Sequence, residues 1–595
     1  MHDRSLPVTL AACLTAAAGL PSSVISLTST TSLAALVAAT ALVPSSARAQ
    51  AAGNPVDQLP PPIPATRPAG PAGAAPSGID AAPLPAQPAQ STAVTPQRFA
   101  IEGVKAMPFD DIAALFKPLA GKPATVAILS DTARQATALY QQRGYALSFV
   151  YIPQQDFRDG AVRVVAVEGF VDKVTIDGAA GGAEPKLREF AERIRADRPL
   201  TLAVFERYTQ LMTQLPGVKV EARALPPEST DGAGAMTLKV VREPYTVSAS
   251  TDIRSSRLRA IVTGNLNDPI VSGGRLSAST LVGASSDETF VSGAYSQLVG
   301  NDGLTLKAEV SLYKGDPDAD RNFTPVIRRY TTYRRAELSA QYPLKLTRTE
   351  SIYLSGGVYG VSNTDDYRNP SNGATLSDEV QTRAVYVQAS YNEATNEQAR
   401  ALSLRLTQGI DGLGASSAIT TNVPGSNPVN PAKLGFTRVL VEASQRNRWG
   451  KPVAGSGAWG TAFSFSGQYS GDILPSTERV SFGGGRFGRG YAPGDVSGDK
   501  GAGFGAEVNY AFPMAMTYVK QLQPYVLLET ARVFSNAGNL AFSKLSSASI
   551  GLRVTDNRYF SVDVALSKPV GDASPNNPDR DIRASTMLSY SFGNK

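Results

Sequence analysis

The chain has 595 residues, 18% of them charged, with 57 Lys and Arg against 51 Asp and Glu for a net charge of +6. That length holds several domains or one large barrel with accessories, and so even a charge balance does not argue for nucleic acid: the Arg-rich run Arg328-Arg-Tyr-Thr-Thr-Tyr-Arg-Arg335 reads as charge facing water or a wet lumen. The single cysteine, Cys13, and the single histidine, His2, fall in the first 49 residues, so the rest of the chain offers no Cys/His metal site, no thiol nucleophile and no histidine base.

The chain opens with Arg4, the apolar stretches Leu6–Leu20 and Leu33–Val43, and Ala47-Arg-Ala-Gln50. This pattern predicts a secretory signal peptide over residues 1–49, cleaved after Ala49. Leu10-Ala-Ala-Cys13 resembles a lipoprotein box, but few residues precede it. After residue 50 nothing approaches the roughly 20 consecutive apolar residues of a membrane helix. A membrane-spanning chain without such helices is a closed barrel. Residues 50–97 hold little besides Pro, Ala, Gly, Gln and Ser, which predicts a disordered, extended tether.

Two similar modules follow. The first, 98–169, reads as a strand Phe99–Gly103, helices Phe109–Leu119 and Ala127–Arg143, and strands Ala146–Ile152 and Ala161–Val167. The second, 170–243, repeats the order with Val171–Ile176, helices near Lys186–Ala196 and Ala203–Leu215, and strands Val218–Ala224 and Met236–Val241. This internal repeat predicts two α+β units, each with two helices on a three-stranded sheet and one exposed sheet edge. Such an edge is a template on which an extended strand can be added.

From residue 244 to 595 the grammar becomes strict alternation. Leu304, Leu306, Ala308, Val310 and Leu312 interleave with Thr305, Lys307, Glu309 and Ser311. Phe560, Val562, Val564 and Leu566 interleave with Ser561, Asp563 and Ser567. A soluble sandwich shares this period, but its core would exclude charges from the polar face. The expectation is an all-β transmembrane barrel of about 16 antiparallel strands, each crossing in roughly 9–11 residues.

Within it lies Phe482-Gly-Gly-Gly-Arg-Phe-Gly-Arg-Gly-Tyr491. Gly483, Gly484, Gly485 and Gly488 permit a hairpin too tight for side chains. Their GxGxxG spacing lacks the strand–helix context of a dinucleotide site, and no phosphate-binding loop occurs. Arg489, carried with Gly490 and Tyr491 on a loop near 476–502, becomes a fixed cation that needs an acid wherever it is buried. The candidate is Glu529 in Leu527-Leu-Glu-Thr-Ala-Arg-Val533, and its rival is Glu507 on the neighbouring strand. No clustered acids or nucleophile motif suggest an enzyme.

Several of these motifs carry a resemblance. Leu139-Tyr-Gln-Gln-Arg-Gly-Tyr145, Val150-Tyr-Ile-Pro-Gln154, Asp159-Gly160, Val167-Glu-Gly169 and Leu215-Pro-Gly217 resemble the two POTRA domains of two-partner secretion transporters. Leu474-Pro-Ser-Thr-Glu478, Phe482-Gly-Gly484, Arg489-Gly-Tyr491 and Gly494-Asp495 are similar to that family's barrel half. The family is the haemolysin and filamentous-haemagglutinin secretion type, within the POTRA–barrel outer-membrane superfamily. The resemblance implies a barrel in the bacterial outer membrane with the POTRA modules in the periplasm. It implies a loop folded back into the lumen, whose arginine meets the acid of an aromatic-x-Asp motif; here Leu527-x-Glu529 stands in its place. It further implies secretion, and activation, of a large β-rich (TpsA-like) exoprotein bound through the modules. Outer-membrane lipid and the barrel-assembly machinery are the other implied partners, with no nucleic acid and no cofactor. A barrel-assembly insertase of the same superfamily and a passive porin are the alternatives. The family's pore-plugging helix has a poor template in proline-rich 51–97.

Overall fold

The computed structural model describes residues 54, 56, 59, 78–79 and 93–593, apart from 158, 254–258, 284–287, 318–326 and 451–455. The expected signal peptide, its cleavage after Ala49 and most of the 50–97 tether lie outside these residues.

The first module is a three-stranded sheet in the order Arg98–Glu102, Ala161–Val167, Phe149–Tyr151, the first pair parallel and the second antiparallel. Helices Phe109–Phe116 and Val126–Gln142 cover one face. Ile112, Phe116, Leu129, Ala133, Ala136 and Tyr140, three or four residues apart, are buried against Val162 and Val164. The long helix starts at Thr125, whose hydroxyl accepts the Ile128 N–H, a side-chain cap. It stops before Gly144 at φ +90°. Glu168 ties the layers together by accepting the Lys105 and Ala106 amides and the Tyr140 hydroxyl.

The second module repeats this plan with strands Phe170–Asp177, Val218–Leu225 and Ala233–Arg242 and helices Glu184–Ala196 and Leu202–Thr213. The repeat extends to one backbone detail. Gly103 (φ +85°) and Gly178 (φ +103°) each follow the module's first strand, and a Cβ there would lie 2.0 Å from the Ala166 oxygen or 2.2 Å from the Val240 oxygen. The positive φ and the close approach both require glycine. The two modules share apolar contact: Leu147 of the first is buried in the core of the second.

The second module's sheet keeps Phe170–Asp177 as one edge, while the other, Val218–Leu225, is partly covered: Gly78–Ile79 pairs with it in parallel, Gly78 opposite Arg223 and Ile79 opposite Ala224.

Beyond residue 244 the strands close into one antiparallel barrel. Seventeen enter the closed sheet; Ser416–Thr421 is a short addition along Thr375–Ala394, so sixteen span. Tyr245–Ile253 closes the ring against Arg583–Gly593 through eight residue pairs, Thr246 opposite Gly593 to Ile253 opposite Thr586. The alternation sorts the faces as expected for lipid outside and a wet lumen inside. Val310, Leu312, Leu338 and Val358 are exposed on the outer wall, while Ser311, Tyr313, Tyr333 and Tyr359 are buried on the inner one. Strands Arg328–Leu346, Glu350–Arg368 and Thr375–Ala394 run 19, 19 and 20 residues, longer than a crossing needs.

The second module docks on the barrel rim. Arg207 donates to the Asp302 and Pro343 carbonyls at 2.9 and 3.2 Å, and Gln214 donates to the Tyr353 hydroxyl at 2.7 Å. At the start of the chain, Val56 and Leu59 do not merely tether. Leu59 is buried on the inner wall among Tyr313, Tyr333, Tyr359, Phe436 and Leu474.

Candidate functional site: a latched loop in the barrel

Between strands Ala458–Tyr469 and Lys500–Pro513 the chain folds inward as a small hairpin, Val480–Phe482 paired with Val496–Gly498. Buried carboxylates pin both roots. Glu478 is paired with Arg438 at 3.1 Å and accepts the Tyr359 hydroxyl at 3.0 Å. Asp499 accepts the Leu474 and Asn536 amides at 2.9 and 2.7 Å and faces Arg479 at 3.4 Å. A carboxylate taking one amide on each oxygen satisfies donors that would otherwise be buried unpaired.

The tip is tight, as its glycines require. Gly483 has φ +119°, and a Cβ on it would lie 2.3 Å from the Ala492 oxygen. Gly488 has φ +125°, and Gly484 has φ +61°. Gly485 lines a small cavity with Arg489, Asp563, Ser585 and Met587. Phe487 takes a left-handed φ of +53°, and its ring lies edge-on to Phe482 and over Gly503. Gly490 presses on the wall at the end of Phe560–Pro569: a Cβ there would sit 2.7 Å from the Pro569 nitrogen. Tyr491 is fully buried beside Phe542 and donates to the Asp572 carbonyl at 2.9 Å.

Arg489 and Glu529 meet, but not as the expected ion pair. One oxygen of Glu529 accepts the amides of Gly488 and Arg489 at 3.0 and 2.9 Å and the Ser547 hydroxyl at 3.2 Å. The Arg489 guanidinium goes elsewhere, donating to the Tyr525 hydroxyl at 2.5 Å and pairing with Asp563 at 3.6 Å. The reason is geometric. Glu529 is bound at the root of the arginine, so a long side chain leaving that root extends past it along the wall.

The rival, Glu507, belongs to another cation. Arg553 grips it with both terminal nitrogens, at 2.7 and 2.6 Å, and Asn509 donates to it at 2.9 Å. The Arg553 Nε also reaches Asp563 at 3.2 Å, and its guanidinium lies 4.1 Å from the centre of the Tyr525 ring. Tyr525 in turn donates to Asp563 at 2.6 Å. Two arginines, two carboxylates and a phenol thus form one network, balanced in charge and linking the loop to four strands.

Asp563, Tyr525 and Arg553 were not singled out by sequence. The signal was present for Asp563, a charge on the polar face of an alternating strand, and Arg553 stands directly opposite it in the register. Among the described residues no group of three or more His, Cys, Asp or Glu side chains is placed to hold a metal. The arrangement can store and release ionic contacts between a loop and a wall.

Comparison with known proteins agrees with this fold. Residues 94–169 match the POTRA domain of the ShlB type, and residues 280–554 match the haemolysin secretion/activation protein family ShlB/FhaC/HecB. The outer membrane transporter CdiB of Escherichia coli is 24% identical over 443 residues, covering 70% of this chain and 69% of its own. The CdiB of Dickeya dadantii is 22% identical over 390 residues, covering 62% and 64%. In fold, the chain is similar to solved CdiB structures from Escherichia coli (TM-score 0.63, 18% identity, 87% of this chain and 94% of that one) and Acinetobacter baumannii (0.55, 14%, 85% and 91%). With paired modules, a sixteen-stranded barrel and both matches in chain order, the chain is an outer-membrane transporter of the two-partner secretion type, similar to the ShlB/FhaC/HecB haemolysin secretion/activation proteins.

Proposed function

We propose that the two periplasmic modules receive a large, β-rich exoprotein in extended form and pass it into the barrel, and that the network around Arg489 sets whether the pore conducts. The observation that carries this reading is the position of Arg489, held inside the barrel by Tyr525 and Asp563 rather than in solvent. Release of a loop fixed by ionic contacts needs no nucleotide. Folding of the exoprotein outside would supply direction. Insertion of the transporter itself is assigned to the barrel-assembly machinery, with outer-membrane lipid against the apolar wall.

Sheet edges suit many sequences, because main-chain hydrogen bonds hold an added strand whatever its side chains. A passive porin has no use for such modules. An insertase would use them, but for other barrels. Deleting this gene and comparing proteins in the culture medium separates the readings. Loss of one very large exported protein supports secretion. A general envelope assembly defect with unchanged secretion overturns it.

A further inference from the structure

We propose that Gly78–Ile79 is an internal occupant of the second module's sheet edge, and that the exoprotein must displace it before adding a strand there. The inference rests on the secretion reading and adds to it a built-in competitor.

The contact has the properties of a placeholder. It pairs with Val218–Leu225, the outer strand of the sheet, at Arg223 and Ala224, and so covers the end of the row of N–H and C=O groups that would template an incoming chain. Ile79 packs against the module's core, so the site already selects an apolar side chain at that register. It is also weak by construction. Only two residues pair, and they pair in parallel, the less stable arrangement. Pro76 and Pro83 flank the pair in the sequence and lack the N–H that a longer ladder would use. A tethered segment nevertheless faces its site at an effective concentration on the order of millimolar. A short stray peptide competes poorly against that. A long client that engages several contacts at once competes well.

The test uses the full-length transporter in cells whose medium shows the exported protein. Gly78→Cys with Arg223→Cys places two thiols at directly opposed positions, and the only native cysteine is Cys13. Once oxidised, the pair locks the occupant in place. The expected result is disulfide formation with at least a tenfold fall in secretion, restored by a reductant. Ile79→Asp, which weakens the occupant, is expected to raise the secretion rate at least twofold. Failure of the thiols to bond, full secretion by the locked form, or an unchanged rate for Ile79→Asp would each overturn the proposal. If deleting the gene removes no protein from the medium, the secretion reading itself fails, whatever the lock does.

Discussion

Glu529 holds Arg489 by its backbone and not by its charge: the carboxylate accepts the Arg489 amide at 2.9 Å, while the guanidinium pairs with Asp563 at 3.6 Å. The loop tip therefore has two separate anchors. One fixes the path of the chain, and the other ties a cation to the wall. They fail differently.

Removing the backbone anchor leaves the Gly488 and Arg489 amides without an acceptor. Each buried orphan costs about 1–3 kcal/mol. Glu529→Ala should loosen the tip and expose Arg486 and Arg489 to protease added outside the cell. Glu529→Gln keeps an acceptor oxygen and should stay close to wild type. Equal protection of all three forms would contradict the assignment.

Asp563 serves two arginines, so Asp563→Ala takes an acid from both; Arg553 keeps Glu507, whereas Arg489 keeps the Tyr525 hydroxyl. Breaking a buried pair from one side costs up to about 3–5 kcal/mol, less here because both partners keep some solvent contact. A double-mutant cycle of Arg489→Ala and Asp563→Ala, read as resistance of the barrel to unfolding in detergent, should show coupling of about 1–3 kcal/mol. Strict additivity would mean that the two do not interact.

Gly490 faces backbone, which cannot yield as a flexible side chain can. Gly490→Ala should push the loop off the Lys568–Pro569 wall and cut secretion at least tenfold, while the barrel still inserts and runs as a folded species. Normal secretion would show that this approach is not needed.

Gly103→Ala and Gly178→Ala test the repeat. Each puts a side chain into a left-handed backbone and within contact of a carbonyl. Each should destabilise its own module by about 1–3 kcal/mol and increase proteolysis there, without altering barrel insertion. A resistant module would remove the reason given for the glycine.

The barrel was legible because a wall with lipid on one side and water on the other writes its period into every strand. The helices were legible for the same reason at a period of 3.6: the one read as Ala127–Arg143 runs Val126–Gln142. The loop was legible through its glycines. The partner of Arg489 was not, because alternation tells which face Asp563 occupies but not which strand register brings it within reach. The pairing register of Lys544–Thr555 with Phe560–Pro569 puts Asp563 opposite Arg553, and the inward fold of the loop brings Arg489 to them. The placement of Gly78–Ile79 and Leu59 was hidden too. A two-residue strand has no period, and a lone leucine in a proline-rich run carries no mark of the aromatic wall it meets.

The most direct test is Arg489→Ala, scored at once for exported protein in the medium and for folded barrel in the outer membrane. A latch inside the lumen predicts that secretion falls at least tenfold while the amount of folded barrel is unchanged. Secretion at the wild-type level would contradict it.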